Sequence, residues 1–268
     1  MLNVVAQLPN GIDTTVPHPA RVYDYWLGGK DNFAADRRAA EAGYEAFPGV
    51  LQSVRANRAF LARVVRQLVT EAGIRQFLDV GSGLPTVSNT HEIAQEKAPE
   101  SRVVYVDSDP VAVLHARVLL QSSAEGRTDF LHADARDPAQ LLARASATLD
   151  FSRPVAVLVL GVLHFLPDDE EVTGIVTAFK DAVVPGSYLV ISHLASDIEP
   201  EMMAEFSRRM RENGVAQDAQ RTREQVTALF DGLDLLEPGV VPVSKWRPDN
   251  EIEAAAVTAL WGGAARKP

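Results

Sequence analysis

Three apolar runs in this chain each end in an aspartate, and their spacing constrains the fold more than any other feature. The first, Phe77-Leu78-Asp79-Val80, leads into the glycine turn Gly81-Ser82-Gly83; the others close at Asp107 (Val103-Val104-Tyr105-Val106-Asp107) and Asp134 (Phe130-Leu131-His132-Ala133-Asp134). The acids are 28 and 27 residues apart, close to the length of one strand–helix–strand unit. Neighbouring parallel strands need a crossover between them, so an acid at the carboxyl end of each strand puts all three on one rim. In open α/β sheets that rim is where ligands bind. Three carboxylates and a glycine turn suit a nucleoside-type ligand with ribose hydroxyls, an amino group and a positive centre.

The rest of the chain extends the same alternation. Strands are expected near 75–80, 102–106, 128–132, 155–161 and 186–193, with helices near 86–98, 110–122, 136–148 and 169–183. Asp109-Pro110 and Asp168 to Glu171 are helix starts with a capping acid or an acid-rich first turn. Glu199 to Gly214 and Thr222 to Phe230 follow as helices, and 233–243 and 255–264 as two late strands joined by a loop holding Trp246-Arg247-Pro248. Before residue 75 there is no strand signal. Helices are expected from Pro19 to Leu27, Asp36 to Tyr44 and Gln52 to Gly73, the last with Val54, Phe60, Leu61, Val64, Val65 and Leu68 at spacings of three and four. Residues 1–17, punctuated by proline and glycine, read as partly mobile. The expected fold is α/β, a Rossmann-like doubly wound sheet over 73–268 preceded by a helical extension over 1–72.

Bulk properties remove several classes of function. An apolar content of 46% with 23% charged residues describes an ordinary globular chain. With no cysteine there is no disulfide framework and no thiolate metal site, which fits a reducing cytoplasm. The start, Met1-Leu2-Asn3-Val4-Val5-Ala6-Gln7, lacks the basic stretch and apolar centre of a signal peptide. The longest apolar run, Val155 to Leu163, is far shorter than the ~20 residues of a membrane helix. A formal charge of -10 argues against binding a phosphate backbone and is otherwise a solubility feature. These properties predict a cytoplasmic protein with a small-molecule ligand, and neither a nucleic-acid nor a membrane partner.

The turn Gly81-Ser82-Gly83-Leu84-Pro85-Thr86 lets backbone amides approach a ligand, although a tight strand–helix turn with no ligand uses the same residues. A dinucleotide fingerprint wants a third glycine where Thr86 stands, and the acid two positions before the first glycine is more typical of S-adenosylmethionine (SAM) sites. Asp107 can accept both ribose hydroxyls, or sit as a solvated strand-end acid. Asp109 reads as a helix cap. Asp134, beside the Ala135 amide, is placed for an adenine amino group or for a turn. Gly161 ends the near-continuous apolar run Val157 to Leu160 of a central strand, where its carbonyl can approach an ammonium. His164 is either a general base near neutral pH or a histidine packed beneath the ligand and bonded to backbone. His91 and His115 read as structural or surface groups and His193 as slightly nearer the rim; none has metal-ligand spacing. Arg208-Arg209-Met210-Arg211 and Arg221-Thr222-Arg223 read as solvated helix faces. No nucleophile elbow, phosphate-binding Gly-Lys-Ser/Thr loop or His-Glu-x-x-His motif is present.

Taken together, these residues resemble a class I SAM-dependent methyltransferase. More narrowly, the chain is similar to a mostly actinobacterial S-adenosyl methyltransferase-like family. That likeness rests on Pro19-Ala20-Arg21-Val22-Tyr23-Asp24-Tyr25-Trp26-Leu27-Gly28-Gly29-Lys30-Asp31-Asn32-Phe33 and continues through Asn57-Arg58-Ala59-Phe60, Asp79 to Thr86, Val104 to Pro110, Trp246-Arg247-Pro248 and Arg266-Lys267-Pro268. The resemblance implies a seven-stranded sheet ending in an antiparallel hairpin, with SAM as cofactor and S-adenosylhomocysteine (SAH) as product. It implies Asp79, Gly81, Ser82 and Gly83 around the methionine and ribose, and Asp107 and Ser108 on the ribose. Asp134 and Ala135 then fall on the adenine, and Gly161 beside the amino-acid end. Pro85 departs from the wider superfamily, where glycine is common, and stiffens the turn. The N-terminal motif carries more polar groups than packing requires, and is expected to form a lid bringing Arg21, Tyr23, Asp31 and Asn32 to an acceptor pocket. A helix packed on the sheet edge with a few ion pairs is the plainer reading. The expected activity is methyl transfer to a small acceptor. The rivals are a non-catalytic SAM-binding protein and an NAD-type oxidoreductase, the latter disfavoured by Thr86 and the third acid.

Overall fold

The computed structural model describes residues 13–119, 121–215 and 218–268. Residues 1–12, which include the chain start and most of the segment expected to be mobile, lie outside the described residues, as does residue 120; the helix expected over 110–122 does not reach its expected end, since residues 121–122 are not helical. In chain order the elements are α1 (Pro19–Trp26), α2 (Ala34–Ala46), α3 (Val50–Thr70), β1 (Gln76–Val80), α4 (Thr90–Lys97), β2 (Arg102–Asp107), α5 (Pro110–Leu119), β3 (Arg127–His132), α6 (Pro138–Ala145) and β4 (Ala156–Leu160). There follow α7 (Asp169–Ala182), β5 (Tyr188–Leu194), α8 (Pro200–Glu212), α9 (Arg223–Ala228), β6 (Asp234–Leu235), β7 (Val241–Pro242), α10 (Glu251–Ala255) and β8 (Leu260–Arg266).

The sheet runs β3-β2-β1-β4-β5-β8-β6, with β7 also paired to β8. The first five strands are parallel and β8 is antiparallel to its neighbours. This is the doubly wound architecture expected, with the antiparallel closing strand the resemblance implied. The chain order reverses between β1 and β4, and that switch point fixes where a crevice opens above the strand ends. Alternation along each strand divides the core. Leu78, Val80, Val104, Val106, Val157 and Val159 pack with α6, α7 and α9 on one face. Phe77, Val103, Tyr105, Ala156 and Leu158 pack with α3, α4 and α5 on the other. A third apolar cluster joins α1, α2 and the start of α3 to Met203, Phe206 and Met210 of α8.

The late segment departs from expectation. The strand expected over 233–243 is two two-residue strands, because a turn through Pro238 and Gly239 interrupts it, with the Gly239 amide donating to the Leu236 carbonyl. The sheet therefore has an eighth short strand, and Pro242, which has no amide to donate, sits on that edge piece. The final strand begins at Leu260 because 251–255 is helical, capped by the Asn250 side chain on the Glu253 amide at 2.9 Å. The loop holding Trp246 is pinned by the buried Arg63, which donates to the Trp246 and Val243 carbonyls and to Glu253. The helix expected from 86 begins at Thr90, since the Asn89 amide donates to Glu92 at 2.7 Å and the Asn89 side chain accepts from Thr86.

Candidate active site

The carboxyl ends of β1, β2 and β4 and the turns after them open into a cavity of about 510 Å³, within the ~300–1,000 Å³ range of small-molecule sites. Asp79, Asp107 and Asp134, far apart in sequence, all line it, as do Gly81, Ser82, Gly83, Ser108, Ala135, Gly161 and His164. The three acids differ in state. Asp79 is buried and accepts from the Thr90 hydroxyl at 2.7 Å. Asp107 is buried and bidentate to backbone, accepting the Gly83 amide at 2.7 Å and the Asp109 amide at 2.8 Å. Asp134 lies on the rim with its side chain about half exposed, accepting the Arg136 amide at 2.9 Å. Asp109 caps α5 through the Val111 amide, as expected.

The rest of the lining comes from helices. Val22, Trp26, Phe47, Met203, Phe206 and Met210 belong to the third apolar cluster and face this same cavity. Of the four N-terminal residues expected near an acceptor, Tyr23 lines the cavity; Arg21, Asp31 and Asn32 do not. The Tyr23 hydroxyl donates to the Val54 carbonyl at 3.1 Å and accepts from Asn57 at 3.2 Å. Asn32 is buried and donates to Asp24, which also accepts the Asp31 amide, so both residues order the loop between α1 and α2. The Asp31 carboxylate faces His115 at 3.3 Å. Arg21 is buried between Asp36 (3.3 Å) and Asp109 (3.7 Å), joining α1 and α2 to the start of α5.

His164 occupies a single 3-10 turn, Leu163–Phe165, just beyond β4. It is buried, its Nδ1 has no hydrogen-bond partner among the described residues, and its ring is 4.2 Å from that of Phe165. Burial, reinforced by His193 and Arg221, holds its pKa well below the usual histidine value, so the ring is neutral at physiological pH. His193 is not on the rim: it is buried in β5, with Nδ1 against the Leu194 carbonyl and Nε2 accepting from Arg221 at 2.8 Å. Arg221 corrects the expectation of a solvated basic face, being buried and bonded to Asp169 and to the Leu163 and Leu166 carbonyls. Arg208 and Arg209 do stay outward, paired with Glu205. His91 is structural, buried against the Tyr105 hydroxyl.

Residues 5–268 match the family described as S-adenosyl methyltransferase. The chain belongs to that family. It is similar to the crystal structure of a DUF574 family protein from Streptomyces avermitilis MA-4680, with 42% identity and a TM-score of 0.92 over 96% of this chain and 99% of that one. A candidate methyltransferase from Thermobifida fusca YX is likewise 42% identical, with a TM-score of 0.88 over 98% of this chain and 99% of that one. The plantazolicin methyltransferase BpumL, solved with SAH, shares the fold at 12% identity with a TM-score of 0.54, over 93% of this chain and 95% of that one. No curated protein matches the chain. The protein is thus a SAM-dependent methyltransferase, and the nicotinamide reading falls.

The residues present fit SAM. The space where a Gly83 side chain would stand is open, with no heavy atom within 4 Å of a Cβ built there, so nothing of the protein blocks approach to this turn. Beside Gly161, Asn57 is buried with its Oδ1 unpartnered among the described residues, an acceptor left for a donor that a ligand brings. Asn57 and Arg58 both line the cavity, and sequence reading noted them only as part of a motif. Their helical spacing from core residues such as Val54 and Leu61 hid them among packing positions.

Burial pushes the Asp79 carboxyl up to about 6, with the Thr90 hydrogen bond and Arg58 opposing. The sign of the effect follows from linkage. Below pH 3.8, the ordinary value, folded and unfolded chains both hold the proton. As pH rises from there to about 6, the unfolded chain ionises first, so stability falls; above 6 the whole penalty, about 3 kcal/mol, is present. Asp79→Asn should therefore be more stable than wild type at pH 7, by an amount that shrinks toward zero near pH 4. Urea unfolding of both proteins across that range isolates this group from the opposing buried histidines. A pH-independent difference would refute the assignment.

Proposed function

We propose that this methyltransferase acts on a small-molecule acceptor, with the strand-end residues holding the cofactor and the helical wall receiving the acceptor. The observation that carries the reading is the convergence of Asp79, Asp107 and Asp134 on one cavity that continues into an apolar, helix-lined part. SAM supplies an electrophilic methyl group on a positively charged sulfur. The protein's contribution is to bind, orient and exclude water. Asp107, already oriented by two backbone amides, accepts the ribose hydroxyls, with Ser108 beside it. Asp134 and the Ala135 amide take the adenine edge. Asp79, with Gly81, Ser82 and Gly83, surrounds the methionine and ribose portion, and its negative charge favours the cationic ligand. The Gly161 carbonyl and Asn57 Oδ1 accept from the amino-acid ammonium.

Alignment of the acceptor with the methyl carbon is the principal catalytic effect, worth up to about 7–11 kcal/mol when fully realised. His164 is our candidate for the base. Its neutral ring keeps a lone pair, but its lowered pKa makes it a weak one, suited to orienting an acceptor proton and to removing it only as charge develops. Within the extension taken as 1–72, the described helices α1 to α3 close over the cofactor-binding domain, 73–268. Arg21 bridging to Asp109 ties that roof down next to Asp107. A net charge of -10 speaks for a small acceptor over a nucleic acid, and among the described residues no helix is long and apolar enough to cross a membrane.

Calorimetry with SAM, SAH and NAD, followed by a small-metabolite acceptor screen, tests the reading. Saturable binding of SAM and SAH without NAD is expected, with SAH protecting the segment before Ala34 from limited proteolysis. No SAM or SAH binding would overturn the cofactor site, and unchanged cleavage would remove the lid.

A further inference from the structure

Three of the acids in the cavity are assigned above; a fourth, Asp218, is not. It lies just before the segment Ala219 to Arg221, which is clamped to the His164 turn: the Ala219 amide donates to the His164 carbonyl at 2.7 Å, and Arg221 to the carbonyls of Leu163 and Leu166. Asp218 is 9% exposed and lines the cavity alongside Met203, Phe206 and Met210. One carboxylate oxygen, Oδ2, accepts from the Ser207 hydroxyl at 2.5 Å, while the Ser207 oxygen accepts from Gln220 at 2.6 Å. The other, Oδ1, is buried and has no hydrogen-bond partner among the described residues. A buried carboxylate oxygen with nothing to accept is costly, and inside an apolar wall the group that best relieves it is a cationic donor.

Charge elsewhere in the lining narrows the ligand further. Four aspartates face the cavity, against two arginines, Arg58 and Arg136. Arg136 stands beside Asp134 and Arg58 acts on Asp79, so neither is a partner for Asp218. The helix whose Ser207 holds Asp218, α8, gives the cavity two methionines and a phenylalanine, Met203, Met210 and Phe206, which adapt to rings and alkyl chains. We propose that the methyl acceptor is a compact apolar molecule carrying a protonated amine, and that Asp218 is the specificity-determining residue that pairs with it. A protonated nitrogen has no lone pair to receive a methyl group. It therefore anchors the acceptor, and another nucleophilic atom of the same molecule is methylated. This rests on the cofactor reading above, because it assigns only what that reading leaves in the cavity.

The test is calorimetry on the full chain saturated with SAH, using phenethylamine and tryptamine as probes against 2-phenylethanol and 3-phenylpropanoate. The amines should bind about tenfold or more tightly than the alcohol, with the carboxylate weakest. Asp218→Asn, which keeps an oxygen for Ser207, should lose about tenfold for the amines. It should leave the alcohol within about threefold and SAH binding unchanged, with a thermal midpoint no lower than that of wild type. Amines binding no better than the alcohol, no measurable amine binding, or equal losses for amine and alcohol in the variant would overturn the proposal while leaving SAH binding intact. Absence of SAH binding in the wild type would instead strike the cofactor site first, and this inference with it.

Discussion

Replacing Asp107 with alanine is expected to weaken SAH binding by about a hundredfold or more, near 3 kcal/mol. The size follows from where the carboxylate sits. Its two oxygens already take the Gly83 and Asp109 amides, so it ties the glycine turn to the start of α5. Alanine would leave two backbone N–H groups without their acceptor, each costing about 1–3 kcal/mol if it stays buried, and would remove the proposed seat for the ribose hydroxyls. Burial holds this carboxyl above its ordinary pKa while the two amides pull the other way, so the group is costly to keep where it is. Asp107→Asn keeps the shape and one good acceptor and should fall between the two. Calorimetry gives the affinity, and a thermal melt separates loss of binding from loss of fold. Alanine binding within threefold of wild type would rule out the ribose role.

The second large effect is on stability. Gly81 has φ of +72° and Gly83 has φ of +69°, so alanine at either meets the left-handed penalty of about 1–2 kcal/mol. Only at Gly81 would the added carbon also collide, lying 2.1 Å from Val162 Cγ2 and 3.3 Å from Val162 Cβ and Cγ1. Gly81→Ala is therefore expected to cost about 3 kcal/mol or more in urea unfolding, against 1–2 for Gly83→Ala. Adding Val162→Ala should recover part of the Gly81 loss and none of the Gly83 loss. Equal costs at the two positions would show that Val162 is not what reserves this site for glycine. Gly83→Ala should instead be felt in SAH affinity, since its methyl would enter open space at the turn.

The parallel half of the fold was legible because its strands are covered on both faces. Runs such as Val103 to Val106 and Val157 to Leu160 carry their signal locally, and each ends at a residue that faces the cavity or leads into it. The late strands were less so: 233–243 looks apolar enough for one strand, but Pro238 and Gly239 impose a turn that outweighs it. The start of α4 was available in the spacing of Asn89 and Glu92, and it matters to the site because it sets Thr90 against Asp79. Arg221 and Arg63 were not legible as buried groups. Their carbonyl partners lie more than 50 and about 180 residues away, and nothing near an arginine announces such a carbonyl cluster. For the same reason the helical wall was hidden, since Met203, Phe206 and Met210 have the spacing of any amphipathic helix until α1 and α2 are laid against them.

The two kinds of lining differ in how the chain assembles them. The strand ends carrying Asp79, Asp107 and Asp134 come from one continuous stretch of successive crossovers, whereas the apolar wall exists only when residues near the beginning of the described chain meet those of α8. A subglobal opening that releases α8 dismantles that wall and leaves the five parallel strands paired. An opening of α8 would thus part the apolar wall from the acids at the strand ends, which are joined by the sheet.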